Sequence, residues 1–271
     1  MANELFNVKD KVVVVTGGTG VLCKNISKYL AEQGAIIIAL GRKEEVGNAL
    51  VSDIKSQGGE AMFLKTDVMS REALEADRKT ILDKYGRIDV LLNGAGGNMA
   101  GAIIPPDKTF FDLDIDAFRK VVDLNLFGTV LPTTVFASAM VEQKKGVIVN
   151  FCSESAFRPL TRVVGYSAAK AAIANYTKYM AIEMATKFGE GIRVNAIAPG
   201  FFLTEQNRSL MTNPDGTPTP RMQSVIAHTP YGRFGKPEEL YGPIHYLISD
   251  ASSFVTGAVV VVDGGFDAFS I

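Results

Sequence analysis

Short β-branched runs alternate with helix-like segments along the first half of the chain. They read "KVVVVTG" (11–17), "LCKNISKYLAEQG" (22–34), "AIIIALG" (35–41), "AMFLKTD" (61–67) after a charged helical stretch, and "IDVLLNGAG" (88–96) after a helix ending in "DKYG". The strand-like runs are apolar at consecutive rather than alternate positions, which predicts strands buried on both faces of a parallel sheet. The amphipathic segments between them supply the crossovers that such a sheet needs. The second half continues with a helical stretch from about Ala117 to Val141, the strand "GVIVNFCS" (146–153), a helix through "YSAAKAAIANYTKYMAIEMATKFG" (166–189) and the strand "IRVNAIAPG" (192–200). A helix near 237–249 and the strand "GAVVVVDGG" (257–265) close the pattern. The expected architecture is a doubly wound (Rossmann) α/β fold, a seven-stranded parallel sheet flanked by helices, in one domain over residues 1–271. Regularity fails only at 201–235, where Pro, Gly and Asn interrupt weak helical segments. That segment follows a strand, on the edge where open α/β sheets bind ligands, and reads as a substrate-covering insertion.

Composition narrows the function class. With 271 residues, 47% hydrophobic and 21% charged, the chain can bury one large core. A formal charge of -1 and the lack of a Lys/Arg run argue against nucleic acid and anionic membrane as partners. The start "MANELFNVKD" has no basic segment followed by an apolar one, and no apolar run approaches the roughly 18 residues of a bilayer span. A cytoplasmic location is expected. Cys23 and Cys152 form neither a C-x-x-C nor a Cys/His spacing, so no metal is expected. Small-molecule chemistry is left.

Three stretches carry that chemistry. In "TGGTGVLC" (16–23), Gly17, Gly18 and Gly20, with Thr19, Val21 and Leu22, join a strand to a helix start. Such a turn presents backbone N–H groups and the positive helix end to a pyrophosphate. Cys23 stands where a third glycine ordinarily allows close helix-to-strand packing, so its cost should fall on packing rather than on binding. A reactive thiol is the lesser reading of Cys23, which stands in no spacing that pairs it with a His. The second strand ends in "ALGRKEE", with Gly41 where an acid would bind a ribose hydroxyl and Arg42 next to it. That favours NADPH over NADH, because no carboxylate repels a 2'-phosphate and a guanidinium can pair with it. The plainer alternative makes Arg42 and Lys43 the solvated start of a helix. In "YSAAK" (166–170), Tyr166 and Lys170 lie one helical turn apart on the same face. A phenol titrates near ~10, and a neighbouring ammonium favours the phenolate, giving a proton donor and acceptor suited to carbonyl/alcohol interconversion. Ser153, thirteen residues upstream at a strand end, can reach the same point.

Together "TGGTGVLC", "TDV", "NGAG", "NLFG", the Ser153/Tyr166/Lys170 spacing, "RVNAIAPGFFLT" and "TGAVVVVDGGF" make the chain resemble the short-chain dehydrogenase/reductase family from end to end. The resemblance implies that Tyr166 exchanges a proton with the reacting oxygen and that Ser153 hydrogen-bonds it. It also implies that Lys170 holds the nicotinamide ribose and lowers the phenol pKa, and that Asn125 orders a relay water. Asp67 and Val68 would meet the adenine edge. Asn93, Gly94, Ala95 and Gly96 would flank the adenosine, while Pro199, Gly200, Phe202 and Thr204 would lie by the nicotinamide. The implied cofactor is NADP(H), with NAD(H) also admissible, and the implied assembly is a homo-oligomer, tetramer or dimer. Departures from the family pattern are Cys23 for glycine, Gly94 for the commoner asparagine, and a glycine shifted to Gly20.

A finer resemblance lies in "GGTGVL", "NGAGGN", "SAFRPLTR", "APGFFLTEQNRSL" and "HTPYGRFGKPEEL", which are most like the family's D-mannonate oxidoreductases, or fructuronate reductases. It implies a sugar-acid substrate. Arg158 and Arg162, in the loop between Ser153 and Tyr166, offer bidentate carboxylate recognition, and Asn98, Glu154, Gln206 and Asn207 offer groups for hydroxyls. Against this, each Arg could make a surface ion pair or a subunit contact. A gluconate or deoxygluconate 5-dehydrogenase remains an alternative, as does a non-catalytic NADP(H)-binding redox sensor. The sensor would usually lack the tyrosine or lysine retained here. Neither His228 nor His245 has a metal-like companion, and His245, in the helical "LYGPIHYLI", reads as a packing residue.

Overall fold

The structure, a computed structural model, describes residues 2–204 and 207–270. Gln206, a candidate substrate residue, lies outside the described residues. The strands are β1 (Val12–Thr16), β2 (Ile36–Gly41), β3 (Glu60–Lys65), β4 (Val90–Asn93), β5 (Gly146–Phe151), β6 (Ile192–Pro199) and β7 (Val259–Val262). They form one parallel sheet in the order β3-β2-β1-β4-β5-β6-β7, with Val13 of β1 in register with both Ile37 and Val90. All residues of β1, β4, β5 and β6 are buried, as continuous apolar runs require, whereas the edge strands β3 and β7 are partly exposed.

Successive side chains of a strand point to opposite faces, so the sheet supports two cores. Val13 and Val15 pack on α2 (Val21–Glu32), α3 (Glu44–Ser56) and α10 (Tyr241–Ile248). Val12 and Val14 pack on α4 (Arg71–Tyr85), α6 (Gly128–Gln143) and α7 (Val164–Phe188). A short α1 (Ala2–Leu5) precedes the sheet and α5 (Ile115–Val122) precedes α6. The second core contains a polar network. Asn93 Nδ2 donates to Thr133 Oγ1 and to Asn150 Oδ1, each at 2.9 Å, and Asn150 Nδ2 donates to Thr177 Oγ1 at 2.9 Å. The network ties β4 and β5 to α6 and α7, and its cost if broken is that of buried unpaired amides.

The helical stretch expected from about Ala117 to Val141 is present as Ile115–Gln143, but its winding changes midway. Between α5 and α6 the residues Asp123–Phe127 form a π turn with buried Asn125 at its centre. The whole run Ile115–Gln143 reaches the length and composition of a membrane span, which corrects the reading that no apolar segment approaches that length. Of its most apolar window, 56% is buried inside the protein, so the run serves as a core helix here.

The irregular segment after β6 closes on itself. Phe202 bridges Gly235, whose N–H donates to Phe201 O at 2.9 Å. Within it lie α8 (Arg208–Met211) and α9 (Pro220–Ala227). Thr219 caps α9 by accepting from Met222 N at 3.2 Å, and Pro220 opens it, a pairing suited to a helix start. His245 packs, as its sequence context suggests: its ring hydrogen-bonds Tyr29 Oη at 2.8 Å and Phe6 O at 2.6 Å.

Candidate active site

The strand order reverses between β1 and β4, and the C-terminal ends of β1, β4, β5 and β6 open on one crevice, where doubly wound sheets bind ligands. The glycine turn forms one edge. Gly17 adopts φ +64°, and a Cβ there would lie 2.8 Å from Gly94 O and 2.9 Å from Ala95 Cα. Glycine is therefore required at 17. Gly18 N–H is spent on Leu40 O and Gly20 N–H on Gly17 O. Gly20 caps α2 without a side-chain bond and the first turn holds no acid, so the helix start offers its own N–H groups and positive end to an anion. Gly41 faces Thr19, whose Oγ1 would lie 3.0 Å from a Cβ at 41. Arg42 is exposed, as is Asp67, whose Oδ1 accepts from Met69 N at 3.0 Å; Val68 is buried. Asn93 belongs to the core network, so its side chain is turned away from the crevice. Gly94 and Gly96 line the crevice, while Ala95 is buried with its N–H on Thr16 Oγ1 at 3.1 Å.

The proton-transfer candidates meet. Ser153 follows the end of β5 and opens a single 3-10 turn, its Oγ accepting from Ser155 N at 3.2 Å. The Ser153 hydroxyl and the Tyr166 phenol from α7 line the crevice together. Lys170, one turn further along α7, donates through Nζ to Phe151 O at 2.6 Å and lies 5.5 Å from the centre of the Tyr166 ring. Burial pushes the phenol up to about 12, with the Ser153 hydroxyl opposing it, and burial pulls the Lys170 ammonium down to about 8. The bond to Phe151 O holds the Lys170 ammonium beside the phenol ring at the foot of the site. Asn125 is likewise committed. Its Nδ2 donates to Gly97 O at 2.6 Å and to Val121 O at 2.8 Å, and its Oδ1 accepts from Gly97 N at 3.1 Å. The amide clamps the Gly96–Gly97 turn, and the Asn125 carbonyl receives the Thr129 hydroxyl at 3.0 Å.

Beyond these residues the crevice widens into a cavity of about 510 Å³. Of the candidate substrate residues, Asn98, Glu154 and Asn207 line it. Asn207 spends its amide on the turn below, accepting from Thr204 N and donating to Phe202 O, each at 2.8 Å. Pro199, Gly200, Phe202 and Thr204 form the adjoining wall. Arg158 is corrected: its Nε pairs with Asp267 at 3.3 Å and it is not part of the lining. Arg162 stands at the rim in a left-handed conformation, φ +75°, with its carbonyl held by Ile104 N at 3.0 Å. Sequence reasoning missed two features. One is Arg221 of α9, which lines the cavity from the insertion. The other is an apolar wall including Met99, Ile103, Leu160 and Met211. A helix start was legible in "TPTPR", but no spacing places residue 221 opposite residue 161.

Glu154 is buried, with Oε2 unpartnered among the described residues. Burial first, then Asp263 and Asp267, push its carboxyl up to about 8.

The sequence signature described as short chain dehydrogenase matches residues 11–215. The chain belongs to the short-chain dehydrogenase family. It is an oxidoreductase of alcohol and carbonyl groups. An oxidoreductase of Bacillus subtilis named UxuB, itself uncharacterized, is 44% identical over 97% of both chains. A Haemophilus influenzae structure described as a candidate D-mannonate oxidoreductase with bound NAD is 41% identical, with a TM-score of 0.91 over 97% of both chains. A gluconate 5-dehydrogenase from Burkholderia cenocepacia, in complex with NADP and tartrate, is 29% identical, with a TM-score of 0.87 over 100% of both chains.

Two departures of this short-chain dehydrogenase from its family pattern explain each other. A Cβ on Gly94 would overlap the Cys23 Sγ, so the cysteine of α2 occupies the space that a side chain at 94 would take. Cys23 is 4% exposed and burial pushes its thiol up to about 12, which leaves it inert and structural. G94A alone is expected to cost about 1–3 kcal/mol through overpacking. Combined with C23G, part of that loss should return, with a coupling of about 1 kcal/mol in a double-mutant cycle by urea unfolding; additive losses would show the two sites to be independent.

The Glu154 carboxyl also predicts a pH dependence. From its ordinary 4.5 up to about 8, the unfolded chain sheds this proton and the native chain keeps it, so stability falls with rising pH across that window. Relative to E154Q, the native protein should lose stability between pH 5 and pH 8 with a limiting slope of about 1.4 kcal/mol per pH unit. Urea unfolding at both pH values checks it, and parallel curves for the two proteins would show that the carboxyl ionises normally.

Proposed function

We propose that this enzyme interconverts a keto sugar acid and its alcohol by nicotinamide-dependent hydride transfer, with D-fructuronate and D-mannonate as the best-fitting pair. The observation carrying the reaction type is the Ser153–Tyr166–Lys170 cluster lining the cavity. The likeness to the Haemophilus influenzae structure supports the substrate pair. The positive-φ Gly17, the uncapped start of α2 and the adjoining crevice fit a dinucleotide pyrophosphate. A bound nicotinamide dinucleotide supplies the hydride. Arg42, with Gly41 and Thr19 excluding an acid, supports NADP(H), while the NAD of the Haemophilus structure keeps NAD(H) admissible.

In this reading Tyr166 gives its proton to the carbonyl oxygen and Ser153 donates a hydrogen bond to the same oxygen. A phenol held near 12 is protonated at neutral pH, the form that reduction of a ketone uses. Lys170, at about 8, exchanges protons readily close to neutrality and is placed to hold the nicotinamide ribose. Asn125 contributes by fixing the Gly96–Gly97 turn rather than through a free amide. Residues 201–235 cover the substrate side of the cavity. The gluconate 5-dehydrogenase likeness supports a second reading in the same class, with a different sugar acid.

The deciding assay follows oxidation of NADPH and NADH with D-fructuronate. Turnover is expected with NADPH preferred, and Tyr166→Phe should lower kcat about 100-fold or more with cofactor affinity retained. Absence of turnover with fructuronate, alongside reduction of another keto sugar acid, would move the substrate; full activity in Tyr166→Phe would remove the proton-transfer role.

The assembly is inferred to be a homo-oligomer. Tyr179 and Ile182 of α7 are 60% and 65% exposed, Phe254 is fully exposed, and β7 leaves an open sheet edge. Light scattering on the purified protein should give a dimer or tetramer mass, and a monomer at micromolar concentration would refute it.

A further inference from the structure

Besides Lys170, the cavity is lined by two residues of opposite charge type, Glu154 and Arg221. Near Glu154, Asp263 is engaged by Gly265 N at 2.8 Å and Asp267 N at 2.6 Å, and Asp267 by Arg158. Arg221, at the start of α9, is clamped to Thr161. Its Nη1 donates to Thr161 Oγ1 and its Nη2 to Thr161 O, each at 3.1 Å. These two bonds fix the plane of the guanidinium and leave its other N–H groups unspent. Arg162 adjoins it, close enough that its like charge, after burial, holds the Arg221 guanidinium below its ordinary value. Among the described residues neither arginine has a carboxylate partner.

Two like charges held together without a counter-ion, one of them half-buried on a cavity wall, form a site for an anion. We propose that Arg221, with Arg162 beside it, is the carboxylate subsite of the cavity and turns the acid group of the substrate away from Glu154. This deepens the sugar-acid reading and rests on it. Glu154 lines the same cavity with its carboxyl, pushed up to about 8, protonated at neutral pH, so it offers a substrate carboxylate no counter-charge while the arginine pair does. The planar fork of an arginine suits that task better than a lysine would.

The test pairs calorimetric titration of tartrate, a hydroxy acid with no ketone to reduce, with the KM for a keto hexuronate. Titrations run with and without reduced nicotinamide cofactor. R221M is expected to weaken tartrate about tenfold or more and to raise KM by a similar factor, with the loss carried by KM rather than kcat. R221K should recover part of it. R162M, which leaves the Thr161 clamp in place, should weaken tartrate to a lesser degree and so separates charge from loop packing. Unchanged tartrate affinity and KM in R221M, or a loss in kcat alone, overturns the assignment, as does failure of the native protein to bind tartrate or any keto hexuronate. Arg221-dependent tartrate binding without reduction of any keto hexuronate would keep the subsite and sink the sugar-acid reaction.

Discussion

The site depends on one close approach. Where β1 turns into α2, Gly17 passes so near the backbone of Gly94 and Ala95 that no side chain fits between them. Because β1 and β4 are neighbours at the point where the strand order reverses, this contact sets the width of the crevice. It also brings α2 down onto the chain leaving β4, which is why Cys23 and Gly94 have to be understood as a pair. A glycine-poor version of the turn would hold the helix away from the sheet and misplace its positive end.

The floor of the crevice is held by polar groups that are almost wholly spent. Asn93 and Asn150 stitch the central strands to α6 and α7, Asn125 clamps the turn after β4, and Lys170 is bonded to the end of β5. Such satisfied networks are rigid, since each member would leave a buried partner unpaired by moving. The π turn at Asn125 fits this economy: it interrupts a long core helix at the residue whose side chain must reach the Gly97 peptide. The same burial raises the Tyr166 phenol and lowers the Lys170 ammonium, desolvation being the largest cause of both shifts.

Above that floor the walls come from segments distant in sequence. The loop after β5 brings Glu154 and the insertion brings Arg221. They stand in a cavity whose other walls include Met99, Ile103, Leu160 and Met211, apolar as in most small-molecule sites. Polar groups placed sparsely in such surroundings orient a ligand strongly, because each acts in a medium of low effective dielectric.

The strands, the parallel sheet, the glycine turn and the Ser153, Tyr166 and Lys170 cluster were legible in the residues, because each is encoded by local spacing. Apolar runs mark buried strands, one helical turn sets Tyr166 over Lys170, and a strand end places Ser153. The family pattern added Asn125 but not the direction of its amide. Tertiary structure alone decided which polar side chains remain available: Asn93 and Arg158 were candidates by position, and the fold spends both elsewhere. It alone set Cys23 against Gly94, and it alone carried Arg221 to the wall of the cavity that Glu154 also lines. The physical reason is common to all three. Hydrogen-bond satisfaction, steric overlap and charge proximity depend on distances between residues far apart in sequence, and those distances exist only once the chain is folded.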